Sequence, residues 1–198
     1  MQDIPQSRSD MLLFVKNMVC DRCILMVRQQ VEYLGFTINS IQLGKVIIAP
    51  EPDSSQLQQI AAVLKIQGFE LIDKDKDQLV EQVKTQVIAL VHYSDLSIQK
   101  QRLLNIIADK LNKDYAYLSR LFSESEGITM EKYIIQQKVE KVKELLEYGE
   151  LNLNEIAYKM GYSSSAHLST QFKGITGIAP SKYKMQPAGD RKPLDQVN

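Results

Sequence analysis

Tryptophan is missing from the chain, aromatic residues make up only 7%, and there are just two cysteines. Two thiols cannot staple a secreted mini-domain. Lying three residues apart, as Cys20 and Cys23 do, they point to chemistry or metal binding instead. No stretch approaches the ~20 apolar residues of a membrane-crossing helix. The start, Met1-Gln2-Asp3-Ile4-Pro5, has neither the basic opening nor the apolar stretch of a signal peptide, so the expected location is the cytoplasm, with no membrane partner. Charge of one sign is not in excess either: 24 Lys and Arg stand against 24 Asp and Glu. A basic nucleic-acid coat or an acidic tail is thereby excluded as a property of the whole chain. What is present is an ordinary globular balance, 44% apolar and 24% charged, in 198 residues, enough for one large domain or two small ones.

Two patterns follow one another. Met11-Leu12-Leu13-Phe14-Val15 reads as a short buried strand, and Ile24, Val27, Val31 and Leu34 then recur at helical spacing. Phe36 to Leu43 and Lys45 to Ala49 read as two strands joined at Gly44 by a tight hairpin. Pro52-Asp53-Ser54-Ser55 opens a second helix, with Leu57, Ile60, Ala61 and Leu64 on one face, and Gly68 ends it. Phe69 to Ile72 makes a last strand. Strand, helix, strand, strand, helix, strand is the ferredoxin-like α+β order. After Asp73-Lys74-Asp75-Lys76-Asp77 the strand signals stop, and Leu79, Val83, Val87, Leu90 and Val91 open an all-helical half. The boundary is expected near residues 74–78, in a linker or in the first turn of that helix. This gives domains over 10–73 and 79–185, with 186–198, which holds Pro187, Gly189 and Pro193, as a loose tail.

The second half repeats itself. Ala116-Tyr117-Leu118-Ser119-Arg120-Leu121-Phe122 returns fifty residues later as Ala166-His167-Leu168-Ser169-Thr170-Gln171-Phe172. Gly127-Ile128 matches Gly177-Ile178, and Lys132-Tyr133 matches Lys182-Tyr183. Ile107-Ala108 matches Ile156-Ala157 if the second turn is one residue longer. Each copy reads as a helix-turn-helix, and one long helix from Thr129 to Tyr148 joins them. In the first copy Asp114 is the expected N-cap. Leu118, Leu121 and Phe122 face inward, which leaves Ala116, Ser119 and Arg120 outside. In the second, Gly161 supplies the turn, Ser163 or Ser164 caps, and Ser165, Ala166, Ser169 and Thr170 face out. Short polar residues on an exposed helical stripe suit a surface that enters a DNA groove.

Charge does not decide the matter. Residues 81–198 hold 16 basic and 14 acidic side chains, and the joining helix is acidic at Glu131, Glu140, Glu144 and Glu147. Phosphate contacts fall to a local set: Lys113, Lys132, Lys173, Lys182, Lys184 and the helix N-termini. Nothing supports an enzyme. His92 and His167 are remote from any nucleophile motif, and no phosphate-cradling glycine loop occurs.

Tyr117-Leu118-Ser119-Arg120-Leu121-Phe122, Ile156-Ala157, Gly161-Tyr162, Phe172-Lys173 and Thr176 through Tyr183 together resemble the DNA-binding domain of AraC/XylS-family transcription regulators. The likeness covers about residues 80–185. It implies two recognition helices in successive major grooves, about 34 Å apart. Carried onto this chain, the base-reading positions are Ala116, Ser119, Arg120, Ser165, Ala166, Ser169 and Thr170. Arg120 either binds guanine bidentately or pairs with a phosphate or with Glu124. The chain departs from the family at Thr170, often basic there, and at Leu168, often aromatic. His167 reads as a surface or packing residue. RNA polymerase is the further partner the family implies. Two lobes in one chain already span two half-sites, so the oligomeric state stays open.

Asn17-Met18-Val19-Cys20-Asp21-Arg22-Cys23, between the first strand and first helix, can bring two sulfurs onto one soft ion. The helix N-terminus favours their thiolates. With the strand order, residues 10–73 resemble a heavy-metal-associated domain, with Met18 to Cys23 as its Met-x-Cys-x-x-Cys loop and Gly68-Phe69 as its Gly-aromatic pair. Asn17 replaces the usual glycine, and Asp21 and Arg22 are charged rather than small. The pair is read as a seat for Cu(I) or a similar soft metal, as a redox dithiol, or as a relic or interaction surface; Met18 reads as core rather than third ligand. No cofactor is required. The leading function is a DNA-binding transcription regulator responsive to a soft metal or redox signal; the alternative is a metal-trafficking protein with a helical docking module.

Overall fold

The computed structural model describes residues 9–97, 103–185 and 191–197. The chain divides between Thr85 and Gln86 into two compact units.

Alternation along β1 (Met11–Lys16) buries Leu13 and Val15 and turns Leu12 and Phe14 outward. Antiparallel to it lies β3 (Lys45–Ala49), with Leu13 opposite Val46 and Met11 opposite Ile48. On the far side of β3 is β2 (Thr37–Gln42), and the two-residue link Leu43-Gly44 closes the hairpin. Gly44 has φ +78°, and a Cβ there would stand 3.1 Å from Thr85 Oγ1, so conformation and space both select glycine. The sheet order is β2-β3-β1-β4, antiparallel throughout.

Two helices close this core. Val27 and Val31 of α1 (Asp21–Tyr33) and Ile60 and Leu64 of α2 (Ser54–Ile66) join Leu13, Val15, Val46 and Ile48 in one buried cluster. The start of α2 is fixed by a capping box: Asp53 accepts from Gln56 N at 2.8 Å, and Gln56 Oε1 accepts from Asp53 N at 2.9 Å. The last strand, β4, is only Glu70–Leu71, shorter than the expected Phe69–Ile72. Phe69 N–H donates to Leu64 O and its ring is buried, so Phe69 finishes the end of α2 instead of pairing in the sheet.

The units divide inside α3 (Asp75–Tyr93), not ahead of it at residues 74–78. Glu81 of α3 accepts from Asn17 N–H at 3.1 Å, and Thr85 meets the hairpin glycine; these contacts assign its first half to unit 1.

Unit 2 is helical throughout its described residues: α4 (Leu103–Leu111), α5 (Tyr115–Glu126), α6 (Met130–Tyr148), α7 (Leu153–Lys159), α8 (Ser165–Thr176) and α9 (Pro180–Tyr183), then a 3-10 turn at Leu194–Gln196. Its core takes Ile107, Leu118 and Phe122 from one half, Ile156, Leu168 and Phe172 from the other, and Val139 and Val142 from α6.

The tail corrects the reading of 186–198 as loose. Residues 186–190 and 198 lie outside the described residues, but 191–197 dock on α6. Arg191 reaches Glu144 at 2.7 Å, Lys192 N–H donates to Glu140, and Gln137 Nε2 donates to Leu194 O at 3.1 Å. Val197 is buried. Pro193 lies within this segment as the N-cap of its 3-10 turn, and Arg191, Leu194 and Val197 give the segment something to bind. The Gln137 side chain, fully buried, also accepts from His92 Nε2 at 2.9 Å. Burial lowers the His92 pKa to about 4, so the ring is neutral near pH 7.

Candidate nucleic-acid interface

The fifty-residue repeat is legible in the geometry of both lobes. In the first, Asp114 caps α5 by accepting from Tyr117 N–H at 3.1 Å; in the second, Ser164 caps α8 by accepting from His167 N–H at 3.1 Å. Each helix ends on a left-handed glycine, Gly127 and Gly177. Leu118 and Leu168 are buried alike, and so are Phe122 and Phe172. The turn between helices opens on a left-handed residue in both lobes, Asn112 (φ +50°) and Gly161 (φ +67°). Only the second must be glycine, because a Cβ there would stand 3.2 Å from Leu96 O. Counted from that left-handed residue to the cap, Asn112 to Asp114 against Gly161 to Ser164, the second turn is one residue longer, as the spacing required.

This core leaves one stripe of each second helix outside. On α5, Ala116 and Arg120 are exposed and Ser119 is half-buried. Among the described residues Arg120 has no hydrogen-bond or ion-pair partner, so Glu124, one turn on, does not hold it. The Ser119 side chain acts on the neighbouring Tyr115 phenol, lowering its pKa against the larger rise from Glu131. That phenol donates to the Glu131 carboxylate, which raises the Tyr115 pKa and lowers that of Glu131. On α8, Ala166 and Thr170 are exposed, and Ser165 and Ser169 are half-buried. The Thr170 hydroxyl donates to Ala166 O at 3.0 Å and keeps its lone pairs as acceptors. Lys113, in the first turn, and Lys173, further along α8, are exposed, as are Lys132, Lys182 and Lys184.

The family described as a helix-turn-helix domain matches residues 107–186. The Msm operon regulatory protein of Streptococcus mutans is 35% identical over 83 residues, 42% of this chain and 30% of that protein. The transcriptional activator RhaS of Escherichia coli is 31% identical over 67 residues, 34% of this chain and 24% of that protein. The C-terminal domain of AraT, a response regulator from Geobacillus stearothermophilus, is similar at 27% identity and a TM-score of 0.48, over 60% of this chain and 94% of that one. Residues 107–186 are thus similar to a helix-turn-helix domain. The chain spans less than a third of the length of the two curated relatives named above.

Within this helix-turn-helix domain the acidic stripe of α6 is internally engaged. Glu131 holds Tyr115, Glu140 pairs with Lys143 at 2.9 Å, Glu144 with Lys141 and Arg191, and Glu147 accepts from Tyr183 OH at 3.0 Å. Sequence reasoning missed these partners and, around the second turn, Lys138; in the sequence Tyr162 reads only as part of a motif, and His167 only as a surface or packing residue. Lys138 Nζ donates to Met160 O at 2.9 Å and lies 5.0 Å from the Tyr162 ring centroid, and burial lowers its pKa. Tyr162 meets the edge of His167 at 5.4 Å, and its buried hydroxyl has no partner among the described residues. Burial pushes that phenol up to about 12. The sequence signal was the extra residue in this turn, which had to be accommodated by something the first lobe lacks.

In unit 1 the structure brings Cys20 and Cys23 together, Sγ to Sγ, at 3.3 Å, both half-buried. Cys20 is the N-cap of α1 in extended conformation, and Cys23 lies one turn into the helix. Burial, first among the causes, pushes the Cys23 thiol up, against the expectation of an eased thiolate. Met18 lies in the core with 1% exposure, so it is no ligand. Asn17, where the heavy-metal-associated pattern has glycine, takes φ +70° and donates to Gly68 O at 2.9 Å. Asparagine tolerates that left-handed backbone, so the loop keeps its course. No group of three or more His, Cys, Asp or Glu suited to a metal occurs among the described residues, which leaves two sulfurs as the donor set. No helix among them is long and apolar enough to cross a membrane.

Proposed function

We propose that the chain is a sequence-specific, DNA-binding transcription regulator of the AraC type. Its α5 and α8 helices enter successive major grooves of double-stranded DNA. The observation that carries this reading is the paired exposure of two equivalent helix stripes on two equivalent cores, one ending on an arginine that has no partner among the described residues. Ala116, Ser119 and Arg120 read bases from α5; Ser165, Ala166, Ser169 and Thr170 read from α8. Lys113 and Lys173 contact phosphates. The engaged glutamates of α6 support the reading, because the charges of Glu140, Glu144 and Glu147 are met by Lys143, Lys141 and Arg191 within the domain. RNA polymerase is the partner through which such a protein acts, and the cytoplasm is its place.

Unit 1, with its strand-helix-strand-strand-helix-strand order and antiparallel sheet, is read as a ferredoxin-like, heavy-metal-associated-like sensing domain. Cys20 and Cys23 suit a soft cation such as Cu(I), which takes thiolates readily at low coordination number. Selection of bound sequences from a random DNA pool, with and without added Cu(I), tests both statements. Enrichment of a motif with two half-sites supports the regulator. Failure to enrich any sequence sinks it. If the unsubstituted chain binds DNA equally with and without Cu(I), or if Cys20→Ser with Cys23→Ser keeps the same response to Cu(I), the sensing role falls and the DNA reading stands.

A further inference from the structure

Two polar tethers run from the joining helix to the recognition helices, and they differ. In the first lobe Glu131, in the first turn of α6, accepts directly from Tyr115 in the first turn of α5. In the second lobe the tether passes through the turn. Lys138, two turns further along α6, donates to Met160 O, the residue that closes α7, and sets its ammonium over the Tyr162 ring. The Tyr162 and His167 rings are nearly perpendicular, at 86°. His167 Nδ1 lies 3.0 Å from Ser163 Oγ, and its backbone N–H is the one that Ser164 caps. One side chain of α6 thus bears on the end of one helix and, through two rings, on the start of the next.

Resting on the reading that the outer stripe of α8 meets DNA, we infer that Lys138 is a positioning residue for the second recognition helix, acting through Tyr162 and His167. Three features carry this. The ammonium satisfies a carbonyl that helix geometry leaves without a partner. A desolvated cation over an aromatic face is held more firmly than an exposed one. Tyr162 keeps a buried hydroxyl unpaired, so its ring, not its hydroxyl, is what the site uses. The axis that fixes the entry of α8 therefore begins at a residue that itself touches no base.

The test uses the full chain and the DNA motif it selects from a random pool. Substitutions Arg120→Ala and Thr170→Ala first assign the base pairs that answer to each lobe. Lys138→Met is expected to lose roughly tenfold of the preference at the base pairs of the second lobe, about the worth of one base contact, and to keep the preferences of the first. Lys138→Arg, which retains donor and cation, restores them. Tyr162→Phe matches the unsubstituted chain, and Tyr162→Leu, which removes the ring but spares the Lys138–Met160 bond, reproduces Lys138→Met. If Lys138→Met does not unfold cooperatively, Tyr162→Leu decides. Variants that lose preference in both lobes equally, or in neither, overturn the inference while the DNA reading survives. A chain that selects no sequence at all overturns both.

Discussion

Phe172 and Tyr183 stand edge to face with their rings 5.5 Å apart, repeating at a distance of fifty residues the contact of Phe122 with Tyr133 at 5.4 Å. All four residues are buried. In each lobe the pair joins the recognition helix to the helix after its glycine cap, so it holds the exposed stripe from behind. Phe122→Ala and Phe172→Ala should each cost about 3–5 kcal/mol, the usual loss for a buried phenylalanine. Urea unfolding followed by circular dichroism measures this; a cost under about 1 kcal/mol for either would show that its lobe is not built on that ring.

The buried His92 gives unit 2 a pH dependence of known sign. Its pKa falls from an ordinary 6.5 to about 4 in the fold, chiefly through burial. The unfolded chain therefore binds the proton first as pH falls. Stability is fully present above pH 6.5 and is lost as pH drops through about 4. The full extent is about 3 kcal/mol. Glu131 and Glu144 also have lowered pKa values, but their ordinary value is 4.5, so their loss sets in at lower pH. Urea midpoints measured between pH 7 and 5 should fall for the native chain and stay nearly level for His92→Gln. Equal slopes in the two proteins would place the proton elsewhere.

Periodicity and capping residues made much of this legible in the sequence. Val27 with Val31, and Leu118 with Phe122, declared their inward faces by spacing, and Asp114 and Gly161 declared their turns by chemistry. The repeat showed two lobes because identical packing demands recur at identical positions. What spacing cannot show is which side chain meets which. Arg191 with Glu144, His92 with Gln137 and Lys138 with Met160 join residues far apart in sequence, and each partner alone reads as surface charge or an ordinary polar residue. Nor does spacing show that Tyr115, beside Ser119, donates to Glu131 of the next helix. It also hid the division of α3, which depends on Asn17 and Gly44 meeting its first half. For Cys20 and Cys23 the spacing foretold their meeting, but not that burial would raise the Cys23 thiol.

Gln137 ties three segments together: it accepts from His92 and donates to Tyr133 OH and to Leu194 O. Gln137→Leu preserves bulk but leaves buried polar groups unpaired, at roughly 1–3 kcal/mol for each that water cannot reach. Arg191→Ala removes a more exposed pair and should cost no more than about 1 kcal/mol. Amide hydrogen exchange distinguishes the two: Gln137→Leu speeds exchange of residues 191–197 and lowers the urea midpoint, whereas Arg191→Ala changes the midpoint little. Unchanged exchange in Gln137→Leu would mean that Arg191, Lys192 and Val197 anchor the segment without Gln137.

Arg120 offers the sharpest test of how the first lobe meets DNA, because its two possible contacts leave different signatures. A guanidinium that reads guanine makes two parallel hydrogen bonds, and its loss costs about 1–3 kcal/mol at one base pair only. A guanidinium on a phosphate releases a counterion, so its loss weakens binding to every sequence and lowers the salt slope by about 0.9. Since no group among the described residues holds Arg120 and it shares its stripe with small Ala116, the side chain is free to reach the groove floor. The expected outcome is therefore the first: Arg120→Ala relaxes selection at a single base pair and leaves the slope of log affinity against log salt unchanged. Arg120→Lys, a point charge without the fork, should restore overall affinity better than it restores that preference. A uniform loss with a shallower slope would move Arg120 to the backbone and leave base recognition in this lobe to Ala116 and Ser119.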